Sequence, residues 1–325
     1  MDGRAIAARL GKLALAACTA FFFGVFRIRD IIAARNTHLS KVGVMSETPL
    51  RLLIIGAHPD DADYHAGGTA ALYRAGGHAV KMVSLTNGDA GHQSMHGPPL
   101  AQRRRAEAAA AGAVIGASYE TWDNPDGELL PSLEVRRRVV GLIRSYRPDL
   151  VLTHRPNDYH PDHRYTSTVV QDAAFMVTVP AIVPEVPHLA RNPVIAYLPD
   201  SFQKPSPFHA DVVVDVTGVV GKIADMLHCH QSQFYEWLPY NGGYLEQVPS
   251  GNAERRAWLL RQVQQRLREQ ANRFREAVLQ AHGRERGAMI EYVEAFEACE
   301  YGAPLDDANK ERLFGVLMNS ARHNK

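Results

Sequence analysis

Cysteine is scarce in this chain of 325 residues, and Cys18, Cys229 and Cys299 stand far apart. They form neither a metal-type pair nor a disulfide framework, which fits a reducing compartment. An excess of one charge is lacking as well. Lys and Arg number 36 against 35 Asp and Glu, a formal net charge of +1. A general nucleic-acid binder carries a basic excess or stripe, so no nucleic acid is expected as a partner. The fingerprint G-x-G-x-x-G is absent, which argues against a nucleotide-binding module. No internal repeat or low-complexity segment is present. A long apolar run is missing too. Leu13 to Phe26 (LALAACTAFFFGVF) falls short of the roughly 20 apolar residues that a spanning helix needs.

That stretch follows Arg4, Arg9 and Lys12, and a basic start before an apolar run resembles a signal peptide or short anchor. No small-x-small cleavage site follows it. The favoured expectation is translation from Met45, six residues before the first strand, and a cytoplasmic protein. The alternative is anchoring or export through residues 13–26, and membrane association is expected only in that case.

With 46% hydrophobic residues, the chain can bury a sizeable core in one large domain, alone or with an appendage. The apolar run Leu52 to Ile55 has the length of a fully buried strand. Further strands are expected at 78–86, 119–123, 149–153, 194–198 and 211–216. Helices are expected at 67–77, 100–116, 132–146 (with Ser132 as cap), 164–179, 218–237 and 254–278. Alternation of strand and helix predicts an α/β fold, an open, mostly parallel, Rossmann-like sheet with helices on both faces. Residues 1–44 are an N-terminal extension, 45–245 the catalytic domain, and 246–325 a C-terminal helical extension. The last packs on the domain or on a second subunit of a homo-oligomer. The proline-rich segment 179–208 is expected to run over the rim.

Right-handed crossovers put the loops after the strands on one rim. His58, Asp60 and Asp61 follow the first strand, Asn87 to His92 the second, Asp123 to Asp126 the third, and His154 to His163 the fourth. Pro59-Asp60-Asp61 alone also reads as a turn with a helix cap. Two rim loops that each supply histidine and carboxylate at ligand spacing carry more weight. A catalytic zinc takes about three His, Asp or Glu ligands and keeps a position open. His58, Asp61 and His163 meet that need, provided the first and fourth strands are neighbours. Asp60 is then placed as general base. His160 is left to stabilise an oxyanion or protonate a leaving amine. Asp162 can hydrogen-bond the other nitrogen of one of those imidazoles. Fe²⁺ or another divalent metal is compatible with the same ligands.

The sequence G-A-H-P-D-D with Gly67-Gly68 beyond it, His160-Pro-Asp-His163, His230-Gln-Ser-Gln233 and Arg104-Arg-Ala-Glu107 together resemble the LmbE-like (PIG-L) family of metal-dependent N-acetylglucosaminyl deacetylases. That family includes the deacetylases of mycothiol, bacillithiol and glycosylphosphatidylinositol biosynthesis. The resemblance covers roughly residues 50 to 240. It implies a zinc-dependent N-deacetylase acting on a small-molecule sugar conjugate by attack of a zinc-bound water. By it, His58, Asp61 and His163 hold the metal, Asp60 is the base, and His160 and Asp162 assist. Arg104 lies near the substrate and His230 lines the pocket, and Asn87 and Asp126 are added from the rim loops as substrate contacts. The runner-up is an amidohydrolase on a non-sugar N-acyl substrate, ahead of a non-catalytic metal-binding relative. The chain departs from the family at Ala62, where Glu is common, at Asp63, and at His65, where a small residue is common. Specificity is expected in the loop Gly88 to Pro99 and in segment 180–208.

Overall fold

Leu52, Leu53, Ile54 and Ile55 are all fully buried, as a strand covered on both faces requires. They form β1 (Arg51–Gly56). The computed structural model describes residues 48–315 and 317, so the expectations for residues 1–44 lie outside the described residues. β1 is followed by α1 (Asp61–Ala75), β2 (Ala79–Thr86), α2 (Pro98–Ile115), β3 (Ser118–Asn124), α3 (Leu133–Tyr146), β4 (Leu150–Thr153) and α4 (Pro161–Met176). β5 (Val194–Tyr197), β6 (Val212–Asp215), α5 (Val220–Cys229), α6 (Asn252–Arg273), α7 (Arg275–His282) and β7 (Val293–Ala298) complete the main elements.

The sheet has seven strands in the order β3-β2-β1-β4-β5-β7-β6. β1 pairs in parallel with both β2 and β4. The chain thus builds outward from β1 in one direction through β2 and β3, and in the other from β4. The gap between the carboxyl ends of β1 and β4 is the switch point where such sheets bind ligands. Alternate β1 side chains enter different cores. Leu52 and Ile54 pack with α1, α5 and α6, and Leu53 and Ile55 with α3 and α4. Ser132 caps α3 as expected, its side chain accepting from the Val135 N–H.

Four features differ from expectation. α1 starts at Asp61 rather than at Gly67, because the Asp60 and Asp61 N–H groups close onto the His58 carbonyl and turn the chain straight into the helix. The helix expected over 218–237 breaks at His230 and resumes as a π-helical turn, Gln233–Trp237, a form common at functional sites. The C-terminal segment forms its expected helix, but also inserts β7 antiparallel between β5 and β6. β7 was hidden by Glu294, a charge in a central strand. Its buried carboxylate accepts from the Gly68 N–H, the Thr69 N–H and the Thr69 hydroxyl, each at 2.7 Å. Finally, only part of the proline-rich segment reaches the rim. β5 runs parallel to β4, so residues 180–193 enter it from the end opposite the site. There the buried Arg144 guanidinium donates to the Ile182, Val183 and Val186 carbonyls. Residues past β5 do reach the rim, where Asn157 donates to the Lys204 and Ser206 carbonyls. Among the described residues no helix is long and apolar enough to cross a membrane.

Candidate active site

The turn after β1 is built around one carboxylate. Asp61 Oδ2 accepts from the backbone N–H groups of Ala57 (2.8 Å) and His58 (2.7 Å) and lies 3.0 Å from His154 Nε2. Gly56 makes this fold-back possible, since a Cβ there would lie 2.7 Å from the Asp61 Cβ. The other oxygen, Oδ1, is 3.5 Å from His163 Nε2. His58 Nδ1 lies 3.1 Å from that same His163 nitrogen and 3.6 Å from Asp61 Oδ2. The three expected ligands therefore converge from the β1 and β4 loops.

The outward nitrogens of both rings face carboxylates. His58 Nε2 is 3.1 Å from Asp126 and 3.4 Å from Asp162, and His163 Nδ1 is 3.1 Å from Asp158. Carboxylates behind imidazoles fix the tautomer that turns a lone pair inward and raise its basicity. Two inward lone pairs 3.1 Å apart repel unless a proton or cation lies between them. The same demand for positive charge shows in the His58 imidazole. Burial would lower it, yet Asp126, Asp162 and Asp61 hold it well above its ordinary value. The donor set thus fits a divalent ion of the zinc type. Groupings that could hold an ion are His58-His160-His163, His58-Asp126-His160-Asp162 and Asp61-His154-His163. His154 Nε2 already faces the Asp61 carboxylate at 3.0 Å.

Asp60 precedes Asp61 in the same turn and belongs to none of the tight metal-type groupings. Its Oδ1 accepts from Arg104 at 3.2 Å. Arg104, expected near the substrate, is 2% exposed and also donates to the Gly88 carbonyl. A side chain at Gly88 would meet the guanidinium at 2.4 Å. Arg104 therefore holds the Asp60 carboxylate in place. His160 caps α4, its Nδ1 accepting from the Asp162 N–H at 3.2 Å. Burial and the nearby His58 and His163 lower its pKa. The ring is neutral with its proton on Nε2, a donor. Asp162 is fully buried and accepts from the Gly127 and Leu129 N–H groups. The imidazole it faces is His58, rather than either histidine flanking it.

Asp126 touches His58 and accepts from the Gly91 N–H. Burial would raise its carboxyl, but the His58 contact and Arg104 bring it to about 2. Asn87 is buried and its Oδ1 accepts from the Asp89 N–H, so it shapes the loop. His230 does not line the cleft. It is fully buried, with Nε2 2.8 Å from Asp63. Its motif partners are supports too: Ser232 donates to Glu107, and Gln233 to the Gly91 carbonyl. Asp63, the departure from the family, is the carboxylate that holds His230.

The sequence reading missed His154 and Asp158. His154 is the first residue past β4 and stacks on His163 with ring centroids 3.9 Å apart. Its signal was that position on the rim. Asp158 lies in the dense polar stretch Asn157 to His163, where nothing local tells which acid faces which ring.

His65 yields a test. Its Nδ1 is enclosed with no hydrogen-bond partner, and burial, aided by His154, pushes the imidazole down to about 3. The unfolded chain takes up this proton near pH 6.5. Stability is therefore lost as pH falls from about 6.5 toward 3, at about 1.4 kcal/mol per pH unit. In His65→Leu the slope of unfolding free energy against pH, measured by urea titration between pH 6.5 and 4, is expected to drop by up to one proton. An unchanged slope would show that His65 is not held neutral.

A family model described as PIG-L, GlcNAc-PI de-N-acetylase, matches residues 53–174. Diacetylchitobiose deacetylase of Thermococcus kodakarensis is 31% identical over 205 residues, covering 58% of this chain and 74% of that protein. 4-Oxalmesaconate hydratase of Pseudomonas putida is 28% identical over 196 residues, covering 58% of this chain and 76% of that one. Among solved structures, N,N'-diacetylchitobiose deacetylase from Pyrococcus horikoshii superposes with a TM-score of 0.58 at 22% identity, over 77% of this chain and 84% of that chain. It shares the fold.

Proposed function

The chain belongs to the PIG-L family, and on that premise we propose that it is a zinc-dependent N-deacetylase of an amino sugar or N-acetylglucosamine conjugate. The observation that carries the reading is Asp60, held by Arg104 beside the converging His58, Asp61 and His163. Those three residues would hold the ion, which when bound polarises a carbonyl and lowers the pKa of water.

This chain's own residues then do the following. Asp60 takes a proton from the attacking water while Arg104 fixes its Oδ1. His160 donates from Nε2 to the oxygen that gains negative charge as the amide carbonyl becomes tetrahedral. Asp126, Asp158 and Asp162 keep the ligand rings oriented. The C–N bond breaks, the proton held by Asp60 passes to the leaving nitrogen, and acetate and a free amine result.

A second reading has support from the hydratase relative, since hydration also needs a base and an activated water. The charge of the site favours the first. Asp60, Asp61, Asp126, Asp158 and Asp162 gather there, and Arg104 is buried and committed to Asp60. A neutral acetamide enters such a cleft at lower electrostatic cost than an unsaturated polycarboxylate. The test is to incubate zinc-loaded protein with N,N'-diacetylchitobiose, other N-acetylglucosamine conjugates, non-sugar N-acyl amides and 4-oxalmesaconate. Acetate release from an amino sugar is expected. Turnover of 4-oxalmesaconate with no acetate from any amide would replace the first reading by the second.

A further inference from the structure

Apart from the catalytic cluster, a cavity of about 330 Å³ lies between α1, α5 and α6, within the roughly 300–1,000 Å³ of small-molecule sites. Its walls carry four aromatic rings, Tyr64, Phe234, Tyr244 and Trp258. The polar groups among them are the donors Arg266 and Trp258, the two-way groups of Tyr64, Tyr244, Gln262 and Gln265, and the carboxylate Glu269. Arg266 lies with its guanidinium carbon 4.0 Å from the centre of the Tyr64 ring. One of its terminal nitrogens is buried with no hydrogen-bond partner. Among the described residues Arg266 has no ion-pair partner. Nor do the Tyr64 and Tyr244 hydroxyls, the Trp258 indole N–H or the Gln262 amide make a hydrogen bond there. The lining carboxylate, Glu269, already accepts from Gln265. The tyrosine, tryptophan and glutamine groups reach water, but the enclosed Arg266 nitrogen does not, and a desolvated donor without an acceptor costs free energy until a ligand supplies one.

Flat aromatic walls accept the C–H faces of a sugar ring, as apolar surface with polar tips does generally. The unpaired guanidinium calls for an anion. We infer that this cavity is a binding site for a glycosyl group bearing an anionic substituent, a phosphate or a carboxylate. The inference does not depend on the deacetylation reading, because none of its residues belongs to the catalytic cluster. An occupant would, however, touch the helix that begins with Asp61, since Tyr64 is on that helix and its N–H donates to the Asp60 carbonyl.

The full chain is titrated with glucose 1-phosphate, glucuronate, glucose and inorganic phosphate, following tryptophan fluorescence. Saturable quenching is expected with glucose 1-phosphate, glucuronate or both, which separates the phosphate source from the carboxylate one. Glucose and inorganic phosphate should bind at least ~10-fold more weakly, one decade of affinity for each lost half of the recognition. Trp258→Phe should abolish the signal. Arg266→Gln should weaken binding by a similar factor, and Gln262→Ala, at an exposed position, should weaken it less without any change in melting temperature. The inference is overturned if no anionic sugar saturates the signal at millimolar concentration, if inorganic phosphate binds as well as the sugars, or if folded Arg266→Gln binds as tightly as the parent. Loss of deacetylase activity by Asp60→Asn should leave this binding unchanged, so failure here and failure of the deacetylase reading are read separately.

Discussion

Asp60→Asn is expected to lower kcat for deacetylation about 10²–10⁴-fold, the range of a general base, while zinc content stays at the parent level. Asparagine keeps an oxygen for the Arg104 guanidinium 3.2 Å away, so the loop after β1 has no reason to move. It lacks the basicity to take a proton from water. Single-turnover kinetics with metal analysis of the same sample checks this. Equal turnover by variant and parent would remove Asp60 from the chemistry, and loss of metal together with activity would move it into the ligand set.

His163→Ala is expected to remove the bound ion and with it nearly all activity. The variant leaves His58 Nδ1 and Asp61 Oδ1 without their shared partner, two donors where three are needed. Asp158→Ala should cost less, about 10–100-fold in zinc affinity, the typical loss for a group that supports a ligand. Its carboxylate lies behind His163 at 3.1 Å and touches no ion itself. Competition with a chelator of known affinity gives both numbers. Parent-like affinity in His163→Ala would break the account of the cluster.

Much of this was legible in the sequence because it depended on period and position. Leu52 to Ile55 declared a buried strand. The alternation of elements declared a parallel sheet, and the rim loops brought His58, Asp61 and His163 together once β1 and β4 paired. What remained hidden depended on which side chain faces which across long sequence separations. Asp162 serves His58 rather than a flanking histidine. His230 and Arg104 are buried against Asp63 and Asp60. Asp63 and His230, fully buried as a pair, are 167 residues apart. β7 was obscured because Glu294 carries its charge into the core, and only the Gly68 and Thr69 donors of α1 make that tolerable.

The most direct measurement is an anomalous difference map at the zinc edge from crystals of the zinc-loaded protein. The expected result is one strong peak about 2.0–2.2 Å from His58 Nδ1, His163 Nε2 and an Asp61 oxygen, with Asp60 outside the coordination shell. A peak held by Asp126, His160 and Asp162, or no peak in this cluster, would contradict the assignment of the metal ligands and with it the role given to Asp60.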